Sequence, residues 1–196
     1  MLTLKQGSEL VKFARSVIKK SFKGDFLEWL SEYSEKLGVF VTLLNFPSHE
    51  LRGCIGFPYP EIPLGKAVME GAKAAAFCDP RFPQLEEDEL EKIVIEVSVL
   101  TKPEEIKCPK DELDKKVIIG EDGLIVNFNG RSGLLLPQVP IEWKWNSLEF
   151  VKQTCLKAGL YPDAWKNKEC RFFKFQAQIF SEEKPNGKVT ERKIKC

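Results

Sequence analysis

Apolar positions recur with helical spacing near the start of the chain. Leu10, Val11, Ala14, Val17 and Ile18 fall on one face, with Lys12, Arg15, Lys19 and Lys20 elsewhere on the surface. That period predicts an amphipathic helix over 3–22, with Gly24 as its stop. Phe26, Trp29, Leu30 and Tyr33 also share a face, so a second, shorter helix is expected over 25–37, broken by Gly38. From there the texture changes. β-Branched and aromatic residues dominate 39–46 and 51–57, which predicts a hairpin turning at Pro47-Ser48-His49-Glu50. Helical spacing returns over 64–78, but its apolar face is small: Ala67, Val68, Gly71, Ala72, Ala75 and Ala76. Small residues let a helix sit close to a sheet. Asp79-Pro80-Arg81-Phe82-Pro83 ends the helix, because proline disfavours a helical residue before it. An acidic, helix-prone connector over 86–91 leads into a strand over 92–100.

The second half follows the same order. Strands are expected over 117–120 and 123–128 around Glu121-Asp122. Asn129-Gly130 is the chain's strongest hairpin signal, since both positions of a type I′ turn need positive φ. Its partner strand is 131–137. A helix follows over 146–158, with Leu148, Val151, Cys155 and Leu156 on one side and Gly159 as its cap. One long strand over 169–181 and a last hairpin at Asn186-Gly187 complete the pattern. Arg52-Gly53-Cys54-Ile55-Gly56-Phe57-Pro58 overlays Arg131-Ser132-Gly133-Leu134-Leu135-Leu136-Pro137, and the closing strands start equally far beyond the two arginines. The expected fold is therefore α+β: antiparallel sheets flanked by helices, with internal duplication of a strand–strand–helix–strand unit. It is read as a single domain over 1–196, built from interlocked units at about 38–100 and 117–181.

Composition narrows the function. Of 196 residues, 43% are hydrophobic and 30% charged, enough for a full core and no basis for disorder. Thirty basic residues against 29 acidic ones leave a net charge of +1, which argues against a protein built mainly to neutralise phosphate backbones. A local basic patch from Arg15, Lys19, Lys20 and Lys23 still leaves nucleic acid as an alternative partner. No apolar run approaches the roughly 20 residues a membrane span needs, and the first residues lack a signal-peptide layout, so a cytoplasmic protein is expected. Six cysteines are scattered without a C-x-x-C pair and His49 is the only histidine, so no metal site is expected.

The segment 51–57 is the most informative chemically. Alternation puts Leu51, Gly53, Ile55 and Phe57 on a core-like face, and Arg52, Cys54 and Gly56 on the other. A guanidinium beside a thiol favours thiolate. Gly53 and Gly56 leave backbone bare, to admit either a ligand or the alanine-rich helix. Cys54 thus reads either as a buried small hydrophobe or as a candidate nucleophile, with Arg52, Gly53, Gly56, Asp79 and Arg81 as candidate ligand-binding residues. Asp79 and Arg81 read either as a pair locking their loop or as a fork for an anionic substrate. His49, on the hairpin turn, is a weak partner for Cys54. Trp143 and Trp145 sit in a short connector, where filling a core edge is commoner than stacking bases.

Leu51-Arg52-Gly53-Cys54-Ile55-Gly56 resembles the signature hexapeptide of the AMMECR domain family, the AMME syndrome candidate region proteins. Phe40-Val41-Thr42-Leu43, Asp79-Pro80-Arg81-Phe82-Pro83, Val97-Ser98-Val99-Leu100, Gly133-Leu134-Leu135-Leu136-Pro137-Gln138-Val139 and Lys157-Ala158-Gly159-Leu160 resemble it too, in the family's order. Phe57 stands where eukaryotic members usually carry Thr, a position at which archaeal-type members vary. The resemblance implies an α+β fold with a larger and a smaller subdomain, and the hexapeptide with Cys54 as the functional surface. It also implies association with Memo-like and radical SAM proteins in a shared modification pathway. It supplies neither a reaction nor a cofactor. A small-ligand or substrate-binding protein centred on 51–56 is the leading expectation, with a non-catalytic protein- or nucleic-acid-interaction module as the alternative.

Overall fold

The computed structural model describes residues 1–193. They form two compact units, Met1–Leu100 with Gln178–Lys193, and Thr101–Ala177. The first begins with α1 (Leu4–Phe22). Thr3 caps it: its hydroxyl accepts the Gln6 N–H at 3.3 Å, and the Gln6 side chain accepts the Thr3 N–H at 2.9 Å. Leu10, Val11, Ala14, Val17 and Ile18 are fully buried, as the periodicity requires.

The helix expected over 25–37 does not form. The segment is irregular, with a single turn at 31–32, and two of its carbonyls serve another element. Tyr33 and Glu35 accept the N–H groups of Gly65 and Leu64 at 3.0 and 2.9 Å. These are among the orphan donors at the start of α2 (Leu64–Phe77), whose N-cap, Pro63, offers no side-chain acceptor.

Strands β1 (Gly38–Asn45) and β2 (Leu51–Phe57) form the expected hairpin, and β3 (Ile93–Leu100) pairs antiparallel with β1. A 3-10 turn over Glu87–Lys92 precedes β3. With β8 (Ala177–Glu182) and β9 (Val189–Arg192) the sheet order is β2-β1-β3-β8-β9. Both helices pack on one face, where Val41, Leu43, Ile95 and Val97 join Leu10, Ala14, Ala72 and Ala75 in one core.

Arg15, expected on the surface of α1 and in a basic patch with Lys19, Lys20 and Lys23, is instead buried in a charge pair with Glu182. Glu182 accepts two bonds from Arg15, at 2.7 and 2.5 Å, and the Ile95 N–H at 2.9 Å. Arg15 also donates to the carbonyls of Leu90 and Ile93, at 2.7 and 2.8 Å. The pair thus ties α1 to β3 and β8 with its hydrogen-bonding needs met on both sides.

The second unit carries β4 (Glu104–Glu105), β5 (Gly123–Phe128), β6 (Arg131–Leu135), α3 (Val139–Glu142), α4 (Ser147–Lys157) and β7 (Arg171–Phe175). Its sheet order is β4-β7-β5-β6. The strand–strand–helix–strand order is present in both units, each with its first strand in the middle. Asn129 and Gly130 take φ 50° and 73°, and Gly159 follows α4 at φ 68°. Two expectations are corrected. Residues 117–120 are not a strand. They form a turn held by the Asp122 carboxylate, which accepts the Ile118 N–H at 2.9 Å. Nor is 169–181 one strand. It breaks at Gln176, whose main-chain N–H and C=O bond Thr101, so β7 joins the second sheet and β8 the first.

Removing Glu182 strands the buried Arg15 charge. Glu182→Ala should lower unfolding free energy by about 3–5 kcal/mol, measured by urea denaturation. A loss below about 1 kcal/mol, the scale of an exposed pair, would overturn this reading.

Candidate functional site

The register of β2 against β1 fixes where each candidate residue goes. Gly53, Cys54, Ile55 and Gly56 face Leu43, Thr42, Val41 and Phe40. The pairing then shifts: Leu44 faces Leu51, leaving Arg52 as the extra residue of a β-bulge. The bulge interrupts the alternation that was expected to set Arg52 beside Cys54. The Arg52 guanidinium instead binds Glu89 twice, at 2.8 Å, and the carbonyls of Pro83 and Gln84 at 3.0 and 3.3 Å. Glu89 strengthens the guanidinium's hold on its proton, and Arg52 holds the Glu89 carboxyl below its ordinary range. Arg52 is therefore a fastener for the loop after α2.

The guanidinium that does reach the thiol belongs to Arg81. β2 is an edge strand, and the Cys54 main chain faces its open side. There the buried Asp79 carboxylate accepts the Cys54 N–H at 2.9 Å, and Arg81 Nη2 donates to the Cys54 carbonyl at 3.0 Å. Asp79 and Arg81 join each other at 2.7 and 2.9 Å, and the Arg81 N–H adds a bond at 3.1 Å. The pair thus supplies the donor and the acceptor that a neighbouring strand would otherwise offer. It gives the loop-locking reading of Asp79 and Arg81 a definite geometry. Arg81 keeps 53% of its side chain exposed, whereas Asp79 keeps 2%. Arg81, then the N–H groups of Cys54 and Arg81, hold the Asp79 carboxyl far below the carboxylate range despite its burial.

Cys54 sits on the sheet face away from the helices, in a cross-strand row with Thr42 and Glu96. The Thr42 hydroxyl donates to its sulfur at 3.3 Å. The expected depressed pKa is not found. Burial pushes the thiol up, and this outweighs the lowering by the Thr42 hydrogen bond and the Arg81 charge. Gly53 is bare because α2 lies against it: a Cβ there would stand 2.2 Å from the Ala75 carbonyl oxygen. At Gly56 the same space holds the Phe40 ring, at 2.3 Å. His49 occupies the hairpin tip at φ 58°, edge-on to Phe46 at 6.3 Å. The structure brings Cys54, Asp79 and Arg81 together and sends Arg52 elsewhere. The missed members are Thr42, the lone polar residue within an apolar run, and Glu89, which closes a capping box with Glu86. Among the described residues no cluster of His, Cys, Asp and Glu is placed to hold a metal ion, and no helix is long and apolar enough to cross a membrane.

Two helices on a bulged antiparallel sheet, with a family hexapeptide on its edge strand, define the class. The AMMECR1 family profile matches residues 11–180, and the chain belongs to that family. It is 45% identical to a protein of Methanocella arvoryzae over 99% of this chain and all of that one. It is 48% identical to the protein MK0488 of Methanopyrus kandleri, over 98% and 96% of the two chains. The crystal structure of the uncharacterized protein PH0010 from Pyrococcus horikoshii has the same fold, with a TM-score of 0.90 and 46% identity, covering 96% of this chain and 97% of that one.

Two outcomes follow from the site's electrostatics. Asp79 is depressed in the fold, so its contribution is present above the unfolded carboxyl value of about 3.9 and fades as pH falls below it. Asp79→Asn should therefore be less stable than wild type at pH 7, with the gap narrowing below about pH 4. An unchanged gap in denaturation midpoints at pH 7 and pH 3 would contradict this. Iodoacetamide applied to the folded protein at pH 7 should label the exposed Cys78 ahead of Cys54 in peptide mass mapping. Prior labelling of Cys54 would mean a thiolate there.

Proposed function

We propose that the chain is a small-ligand-binding protein whose site is the outer edge of β2, with Arg81 anchoring an anionic group of the ligand and Cys54 lining the site as a neutral thiol. The observation that carries this reading is the state of Arg81. Its guanidinium is held rigid by Asp79 and the Cys54 carbonyl, yet half of the side chain remains in solvent. With Nε and both Nη2 hydrogens engaged, it is Nη1 of this fixed, half-exposed guanidinium that needs little further ordering to meet a carboxylate or phosphate oxygen. The raised thiol supports binding over nucleophilic attack, because a neutral thiol is a poor nucleophile. A carrier or binding component of this kind is compatible with a modification pathway shared with Memo-like and radical SAM proteins.

Native mass spectrometry of gently purified protein tests the proposal. Wild type and Cys54→Ser should retain a small anionic molecule, and Arg81→Gln should lose it. Arg81→Lys, which keeps the charge but not the fork, should retain it more weakly. No retained mass in wild type, or equal retention by Arg81→Gln in a correctly folded state, would overturn it.

A further inference from the structure

The second unit holds a groove of about 540 Å³ that the β2 site does not involve. Leu135 of β6, Val139 of α3 and Leu156 of α4 give it aliphatic walls, and Trp143 and Trp145 line it from the connector between α3 and α4. The two indoles are stacked, with centroids 5.9 Å apart and planes 19° from parallel. Their roles differ. Trp145 is half-buried against the core of the unit and fills its edge, as expected for a connector tryptophan. Trp143 is 67% exposed and fills nothing.

The arrangement is fixed in advance. The N–H groups of Trp143, Lys144 and Trp145 donate to Val139, Ile141 and Pro140, at 3.1, 3.1 and 2.8 Å. Lys144, between the rings, sits at φ 55°, a left-handed conformation that a residue with a side chain adopts at a cost. Strain is thus stored where a large apolar ring is held toward water, against the usual tendency to bury it. The groove's one cation, Lys157, is exposed at the end of α4 and takes part in no ion pair among the described residues. Glu149, one helical turn before Gln153, is already hydrogen-bonded to the Gln153 amide at 2.7 Å.

We propose that this groove binds a planar aromatic ring carrying an anionic group: the ring extends the Trp145–Trp143 stack over the aliphatic walls, and the anion meets Lys157. An indole backed on one side by another indole offers a ready π-face to a third ring at the ordinary offset-stacking distance. Lys157 supplies the matching charge. The occupant is a free small molecule, because the volume lies in the range of small-ligand sites and the groove holds one cation, whereas a nucleic-acid strand presents a phosphate at every step.

The probe is 1-anilinonaphthalene-8-sulfonate, titrated into the full chain while probe emission and tryptophan quenching are followed. Wild type should bind one equivalent saturably, and more tightly than it binds the neutral analogue N-phenyl-1-naphthylamine. Trp143→Ala should weaken binding about tenfold, and Lys157→Gln about threefold. Both residues are exposed, so both variants should keep the wild-type circular dichroism. Arg81→Gln should bind as wild type does, which separates this groove from the β2 site. Absence of saturable binding, wild-type affinity in Trp143→Ala, or no preference for the sulfonate would overturn the proposal. Loss of binding on Arg81→Gln alone would place the probe at the other site and overturn it equally.

Discussion

The outer edge of β2 is closed by two side chains instead of a strand. At Cys54 a main-chain N–H and C=O face outward, the exposure that invites unwanted pairing in a sheet edge. Asp79 takes the N–H and Arg81 the C=O, and the two hold each other. The arrangement keeps a carboxylate charged although it is almost wholly buried, because N–H donors surround it. It also fixes the loop after α2. Arg52, freed from the strand's alternation by the bulge, fastens the same loop through Glu89 and the Pro83 and Gln84 carbonyls. One hexapeptide therefore carries both attachment points of the loop that covers it.

This closure decides what the thiol can do. A cation beside a cysteine ordinarily favours thiolate. Here Arg81 divides its charge between Asp79 and the Cys54 backbone, while burial acts directly on the sulfur. Burial wins, and the thiol is pushed above its ordinary range. The exposed part of the site is then the half of Arg81 that points to solvent. The stacked tryptophans of the second unit present a different chemistry, an aromatic face with a single cation at its margin.

Much of the fold was legible because hydrophobic period and turn chemistry are local. The α1 spacing, the Asn129-Gly130 turn with both residues at positive φ, and Gly159 after α4 match their sequence signals. Where the reading failed, a distant partner intervened. The face shared by Phe26, Trp29, Leu30 and Tyr33 suits a helix, but the carbonyls of Tyr33 and Glu35 are taken by the first N–H groups of α2. The run around Gln176 looks continuous, yet Thr101 captures both main-chain groups of that residue and the strand divides between two sheets.

The candidate site shows the same limit. The hexapeptide, the Asp79–Arg81 loop and the resemblance they carry could be read from residue order alone, as could the closeness of an alanine-rich helix to a glycine-bearing strand. Which guanidinium meets the thiol could not. Alternation assigns Arg52, but a one-residue register shift removes it and the loop after α2 delivers Arg81, 27 residues beyond Cys54. Likewise the Trp143-Lys144-Trp145 run gives no sign of which indole enters the core and which stays out. Periodicity and turn residues act over a few positions and are written in the chain. Register, edge pairing and the balance between burial and charge depend on atoms brought together from far apart, and only the folded molecule sets them.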